Sequence, residues 1–222
     1  MKGLIKKDLL NLASYKTTLL ILIIFCGIGV IGSSVNIAPL VICTIIGMIS
    51  LSTFNYDEIA KSNKFILALP LTRKEVVLAK YILAITGIIL GGILGIVLTL
   101  LVVNIMNIIR PNDLLSINYQ SLFINALSGM FGISLIQAIQ IPSIYKFGAE
   151  KGRIQMFVII FLVIILIAGA GFLITNLGLN INTQEITNFL NKYGIIILII
   201  SMILMYTISY KISSKIFLKK DF

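Results

Sequence analysis

The sequence predicts an all-α integral membrane protein: six transmembrane helices, an amphipathic N-terminal helix at the membrane interface, and a short amphipathic helix on the cytoplasmic side between spans 2 and 3. Three observations carry that fold class. Hydrophobic residues make up 59% of the chain against 12% charged, and the mean hydropathy is +1.08, which no soluble domain matches. Five stretches (17–56, 82–109, 114–145, 154–184 and 193–210) hold no charged residue. About 20 apolar residues cross a bilayer as a helix, because lipid offers no partner to an open backbone group. The third observation is the distribution of charge. With six crossings, 16 of the 18 basic residues fall on one face, leaving Arg110 and Lys192 on the other. Lys and Arg near a membrane collect on the cytoplasmic side, so both termini are expected there. The net charge of +10 is thereby explained by topology and anionic lipid, with no need of nucleic acid.

Residues 1–16 precede the first span. Ile5, Leu9 and Leu12 share one helical face with Lys7, Asn11 and Ser14 opposite, as suits a helix in the headgroup plane. The apolar run after them is long and lacks a clean cleavage site, so the segment is expected to be retained rather than removed as a signal peptide. The 40 residues of 17–56 are too many for one crossing, and Ser33, Ser34, Asn36 and Pro39 divide them into spans at about 17–35 and 38–55. Cys26 and Cys43 lie inside these apolar helices and read as small hydrophobes.

The stretch from Asn55 to Tyr81 is the most charged part of the interior chain. On a helix, Ile59, Ile66 and Leu69 take one side and Asp57, Lys61 and Lys64 the other. Pro70 stops that helix. Thr72 and Glu75 then have the spacing of a capping box, so a second helix starts near Arg73 and runs unbroken into the span at about 81–103. A short helix, a corner and a long rooted helix make a lever on which a soluble partner could push; a solvated loop is the other reading. Gly87, Gly91 and Gly95 repeat every fourth residue, which lets another helix approach closely, from this chain or from a partner subunit.

An outer loop over 104–119 leads to the fourth span at about 120–141, where Gln137 and Gln140 share a face and read as glue between helices. Pro142, Gly148 and Gly152 are expected to interrupt the helix in a second cytoplasmic segment, before spans at about 154–175 and 193–210. The basic tail from Lys211 onward is expected to rest on anionic headgroups.

Some chemistry is missing. There is no His, hence no His-ligated metal or His base, and no phosphate-binding loop of the G-x-x-x-x-G-K-[ST] form. All eight carboxylates fall in loops or arms of the six-span reading, where neither an ion-coupled carrier nor an intramembrane hydrolase would keep its working group. The chain is therefore expected to be no enzyme and to bind no cofactor itself, and energy for any movement must come from outside it.

Two segments resemble a known family. Tyr56, Asp57 and Glu58, then Phe65 and LPLTRKEVVLAKY (69–81), are similar to the first cytoplasmic loop of ABC transporter permeases of the type-2 exporter family. PSIYKFGAEKGR (142–153) resembles that family's second loop at Pro142, Tyr145, Phe147, Gly148, Glu150, Lys151 and Arg153. Within the family, the small permeases that export amphipathic peptides, such as phenol-soluble modulins or antimicrobial peptides, are the most similar. The resemblance implies one permease domain over residues 1–222 without a nucleotide-binding domain, in a bacterial cytoplasmic membrane. It implies a separate cytosolic ATPase holding ATP and magnesium, and a second permease copy or paralogue. The coupling helix would be residues 56–69, with Tyr56, Asp57, Glu58, Ile59, Lys61, Lys64, Phe65, Ile66 and Arg73 at the ATPase, and Tyr145, Phe147, Glu150, Lys151 and Arg153 forming the second loop. A membrane immunity or sensor protein that binds a peptide without moving it is the alternative from another class.

Overall fold

The computed structural model describes residues 2–13, 35–60, 72–111, 115–152 and 183–219, together with 154, 155, 157, 158, 161 and 165. The predicted spans at 17–35 and 154–175, residues 61–69 of the predicted coupling helix, Cys26 and Arg153 lie almost entirely outside these residues, while residues 56–59 of that helix prove to be the end of the preceding one, Ala38–Ile59. Helices account for nearly all that is described: α1 (Lys2–Ala13), a 3-10 turn (Val35–Ile37), α2 (Ala38–Ile59), α3 (Arg73–Ile109), α4 (Tyr119–Phe147) and α5 (Thr183–Leu218). Among the described residues, four stretches are long and apolar enough to cross a membrane: Val35–Ile59, Arg73–Ile109, Tyr119–Phe147 and Tyr193–Leu218.

The start of α3 follows from its first residues. The Thr72 side chain accepts the Glu75 N–H, and the Glu75 carboxylate accepts the Thr72 N–H at 2.8 Å, which closes the capping box. With 37 residues α3 is about 55 Å long, well over the hydrocarbon thickness. It continues to Ile109, six residues past the predicted end of the span, so the outer loop is shorter than the sequence suggested. There Asn107 accepts the Leu115 N–H at 2.8 Å and holds the loop against the helix.

The glycine repeat faces inward within the chain. A Cβ on Gly91 would sit 3.2 Å from the Cys43 carbonyl oxygen, and one on Gly95 2.9 Å from that of Pro39, while Gly87 lies over Ser50. The ridge of α3 thus lies against the backbone of α2, with Cys43 fully buried between them as a small apolar residue. Gly129 of α4 comes as close to Leu40, so α2 is gripped on two sides.

Two of the predicted boundaries move, and one helix is turned. α4 does not break at Pro142 but runs through it to Phe147, ending at Gly148 with φ of 90°. A proline leaves the carbonyl four residues back without its helical partner. That carbonyl belongs to Ala138, and it accepts the Ser209 hydroxyl of α5 at 2.7 Å, so a neighbouring helix supplies the missing donor. The tail is helical rather than beginning after the last span: α5 continues to Leu218, with Ser213 and Phe217 buried and Lys211, Lys215 and Lys219 on the exposed side. α1 is turned from its predicted orientation, with Leu4 and Asp8 inward and Leu9 and Leu10 exposed.

Close helix approach gives a direct test. Gly95→Leu forces a side chain into the backbone of α2 and is expected to cost about 1–3 kcal/mol or to abolish folding. Gly132→Ala, with open space around it, is expected to behave as the parent. Monodisperse yield and thermal unfolding in detergent report both, and equal behaviour of the two would refute the packing.

Candidate functional site

Polar and charged side chains converge at one end of the bundle, where α2 and α4 stop, α3 starts and α5 finishes. At its centre is Lys80, immediately before the uncharged part of α3 and only 3% exposed. Its Nζ lies 2.6 Å from Asp57 Oδ2 at the end of α2 and 2.8 Å from Asp8 Oδ2 of α1. Lys7 pairs with Asp57 and lies 3.5 Å from Asp8 Oδ1, at the solvent edge of the group. Two cations and two anions from three helices therefore balance, which is the condition under which buried charge is tolerated. The Phe54 ring packs 5.1 Å from Lys80 Nζ, adding its electron-rich face.

Aromatic contacts carry this cluster sideways. Phe54 meets Tyr145 of α4 edge-on at 5.6 Å, and Tyr145 meets Phe217 of α5 at 5.2 Å. Arg73, at the first residue of α3, donates to the Leu218 carbonyl at 2.8 Å, so a cation sits at the negative end of the α5 dipole. Below this ring lies a hydrogen-bonded layer. The Tyr81 hydroxyl lies 2.5 Å from Ser209 Oγ and 2.8 Å from Ser213 Oγ. The Tyr206 hydroxyl donates to Gln137 Oε1 at 2.7 Å, and Gln137 Nε2 donates to the Gly47 carbonyl at 2.9 Å and to Ser50 Oγ. Gln137 therefore binds α4 to α2 and α5, as glue rather than as an open polar mark. Gln140 is buried too, beside Ile141 in the same helix.

One more contact joins the ends of α2 and α4. The Glu58 carboxylate accepts the backbone N–H of Ala149, the first residue after the turn at Gly148, from which residues 149–152 are helical again. An anion at the start of a helix satisfies an open donor there. Only glycine suits residue 148: its φ is in the left-handed region, and a Cβ would stand 2.8 Å from Glu58 Oε1. Beside this contact is a cleft of about 610 Å³ lined by Asn55, Glu58, Ile59, Ala149, Glu150 and Ile154. Among the described residues no group of His, Cys, Asp or Glu is placed to hold a metal ion.

A family model described as ABC-2 family transporter protein matches residues 3–218, nearly the whole chain. The chain belongs to the ABC-2 transporter family. It is a membrane-embedded, multi-pass permease, a transport subunit and not itself a catalyst. No curated protein matches it, and no solved structure does.

Within this ABC-2 permease the residues singled out from sequence divide into three groups. Glu58, Ile59, Phe147, Glu150 and Lys151 are exposed at the end of the bundle, with Ile59 81% exposed and Lys146 Nζ 4.9 Å from the Phe147 ring. Asp57, Arg73, Tyr56 and Tyr145 are turned toward the bundle: Asp57 is 6% exposed and neutralised, so it stands on the inner side rather than the outer polar face assigned to it. Lys61, Lys64, Phe65 and Ile66 fall in the coupling segment outside the described residues, as does Arg153. Sequence reasoning did not single out Asp8, Lys7, Lys80, Tyr81 and Tyr206. Asp8 carried a signal, as the sole acid in an otherwise basic arm at a four-residue spacing from Leu4.

Lys80→Met is expected to leave Asp8 and Asp57 facing one another with only the partly exposed Lys7 to neutralise them. The cost of breaking such a group from one side is about 3–5 kcal/mol. Unfolding in detergent checks it, and a change below about 1 kcal/mol would show that the cluster is not buried charge.

Proposed function

We propose that this chain is the membrane half of an ATP-driven exporter, worked through its charged end by a separate cytosolic ATPase that holds ATP and magnesium. Permeases of this family act with such an ATPase, often as dimers. The observation that carries the reading is the Glu58 contact with Ala149. It joins the segment just before residues 61–71 to the segment just after α4, so a push on one is felt by the other. The ring of contacts around Lys80, Tyr145 and Arg73 passes that push to α1, α3 and α5. Coupling of this kind needs two arrangements with different contacts at the same loop.

In this reading the charged end faces the cytoplasm, as the 16 basic residues favour, and both termini lie there. The coupling segment is then the end of α2 at Glu58 and Ile59 together with residues 61–69, with Glu58, Ile59, Lys61, Lys64, Phe65 and Ile66 toward the ATPase. Asp57 and Arg73 act behind it, holding the helix ends. Glu150, Lys151 and Arg153 form the second contact. Two permeases pair, as like or unlike chains, and the cargo is an amphipathic peptide. An apolar groove of about 430 Å³, lined by Ile85, Ile89, Met130 and Met202, suits the apolar face of such a cargo.

Co-expression with an ABC ATPase encoded beside the gene tests the reading. The two are expected to co-purify and to hydrolyse ATP faster together than the ATPase alone; separate elution with unchanged hydrolysis would overturn it. Within that complex, Glu58→Gln is expected to keep the folded yield while lowering the permease-dependent part of ATP hydrolysis severalfold, because a neutral amide holds the Ala149 N–H less firmly than a carboxylate. Unchanged hydrolysis would remove the Glu58 contact from the coupling path.

A further inference from the structure

The four charges beneath α1 are arranged so that they can be divided. Asp8 and Lys7 are neighbours on α1, with Lys7 Nζ 3.5 Å from Asp8 Oδ1. Asp57 and Lys80 sit on α2 and α3, 2.6 Å apart. If α1 leaves, it takes one cation and one anion and leaves one of each behind. Neither part is then left with an unpaired charge, whereas a cluster split unevenly would strand one at a cost of several kcal/mol.

The packing of α1 points the same way. Of its apolar residues Leu4 is buried, Ile5 and Leu12 are half-buried, and Leu9 and Leu10 are 52% and 65% exposed. Burial of one leucine and parts of two others is a small apolar hold for a 12-residue helix. What orients α1 is the ion group, and that group opens to water at Lys7, which is 35% exposed. Water and salt can therefore enter the cluster from the α1 side, while Lys80 stays covered by the Phe54 ring.

We propose that α1 is a detachable strap: it docks on α2 and α3 through the Lys7, Asp8, Asp57 and Lys80 group, and it releases by separating that group into two neutral pairs. Docked, it sets two carboxylates around Lys80 and fixes the end of α2 against α3. Released, it leaves Lys80 with Asp57 but without Asp8, and so loosens the charged end next to residues 61–71. The strap is a property of this chain alone and does not depend on the transport reading.

The test uses the full-length permease in detergent with Cys26→Ala and Cys43→Ala, and Leu4→Cys as the reporter under α1. Its rate of modification by a water-soluble maleimide is measured over a salt series. The strap predicts slow modification at low salt that rises roughly fivefold or more between about 50 mM and 1 M sodium chloride, as ion pairs at the Lys7 edge are screened. A second variant adds Lys7→Ala with Asp8→Ala. It is expected to fold with the parent's yield and melting temperature, and to be modified quickly at every salt concentration. Fast modification of the parent throughout would mean that α1 does not dock, and slow modification insensitive to salt would mean that it does not release. Loss of folding in the double variant, to the degree expected for Lys80→Met, would mean that α1 is a fixed part of the bundle. Each of these three results overturns the proposal.

Discussion

An ammonium group set among apolar helices must be neutralised where it stands, and Lys80 makes that demand at the point where α1, α2 and α3 meet. Its stem rises from a helix whose next thirty residues are nearly all apolar, and Phe54 closes over its head. Charge in such a place is tolerated only with opposite charge at contact distance. Asp57 meets the demand from the end of α2, and Asp8 meets it from a segment near the start of the chain. The orientation of α1 follows: a helix whose apolar residues alone would turn Leu9 inward instead turns Asp8 inward and leaves Leu9 out.

The same cost of leaving a buried polar group unpaired accounts for much of the layer beneath. Pro142 frees the Ala138 carbonyl, and Ser209 fills the vacancy. Gln137 offers an amide to α2 and takes a hydroxyl from α5, so its two ends serve two helices. Each bond contributes about 1 kcal/mol net, yet each costs more than that to leave open. Their effect is accordingly less on total stability than on register: α4 and α5 can slide only by breaking several bonds together. Where glycines bring α3 onto α2, shape does the equivalent work.

Much of the bundle was legible in sequence, because the features that decide it are local. The Thr72–Glu75 cap needs only its own four residues, and the Gly87, Gly91 and Gly95 ridge only a period of four. Gln137 as a bridge between helices could be read from an amide in an apolar run. The misplaced features depend on partners distant in the chain. Pro142 looks like a stop unless Ser209, 67 residues later, is known to be beside it. Asp57 looks like a docking charge unless Lys80 and Lys7 are known to face it, and the apolar pattern of α1 gives no hint that an aspartate will be its inner edge. At the tail, Lys211, Lys215 and Lys219 mark the outer side of a helix whose inner side is shown by Ser213 and Phe217, a weaker pattern than the charges. Reading from sequence thus named outer residues at this end of the bundle and missed the inner ones, Asp8 and Lys80.

How a push would travel through this end of the molecule depends on which contacts can exchange partners. The aromatic contacts of Phe54, Tyr145 and Phe217 have fixed shapes and transmit displacement without choice. The Glu58 contact has a single donor at Ala149 and a glycine that admits no side chain, so it acts as a pivot. Among the described residues at this end, the ion group is where partners can exchange, since each lysine has two carboxylates within reach and each carboxylate two lysines. A bundle end that was all pivot and wedge would be stiff, and one that was all ion pairs would be slack. With both, the rigid contacts set the direction of movement, and the ion group provides the place where two arrangements can differ by little. An end built this way can respond to force at residues 61–71 without its apolar core having to come apart.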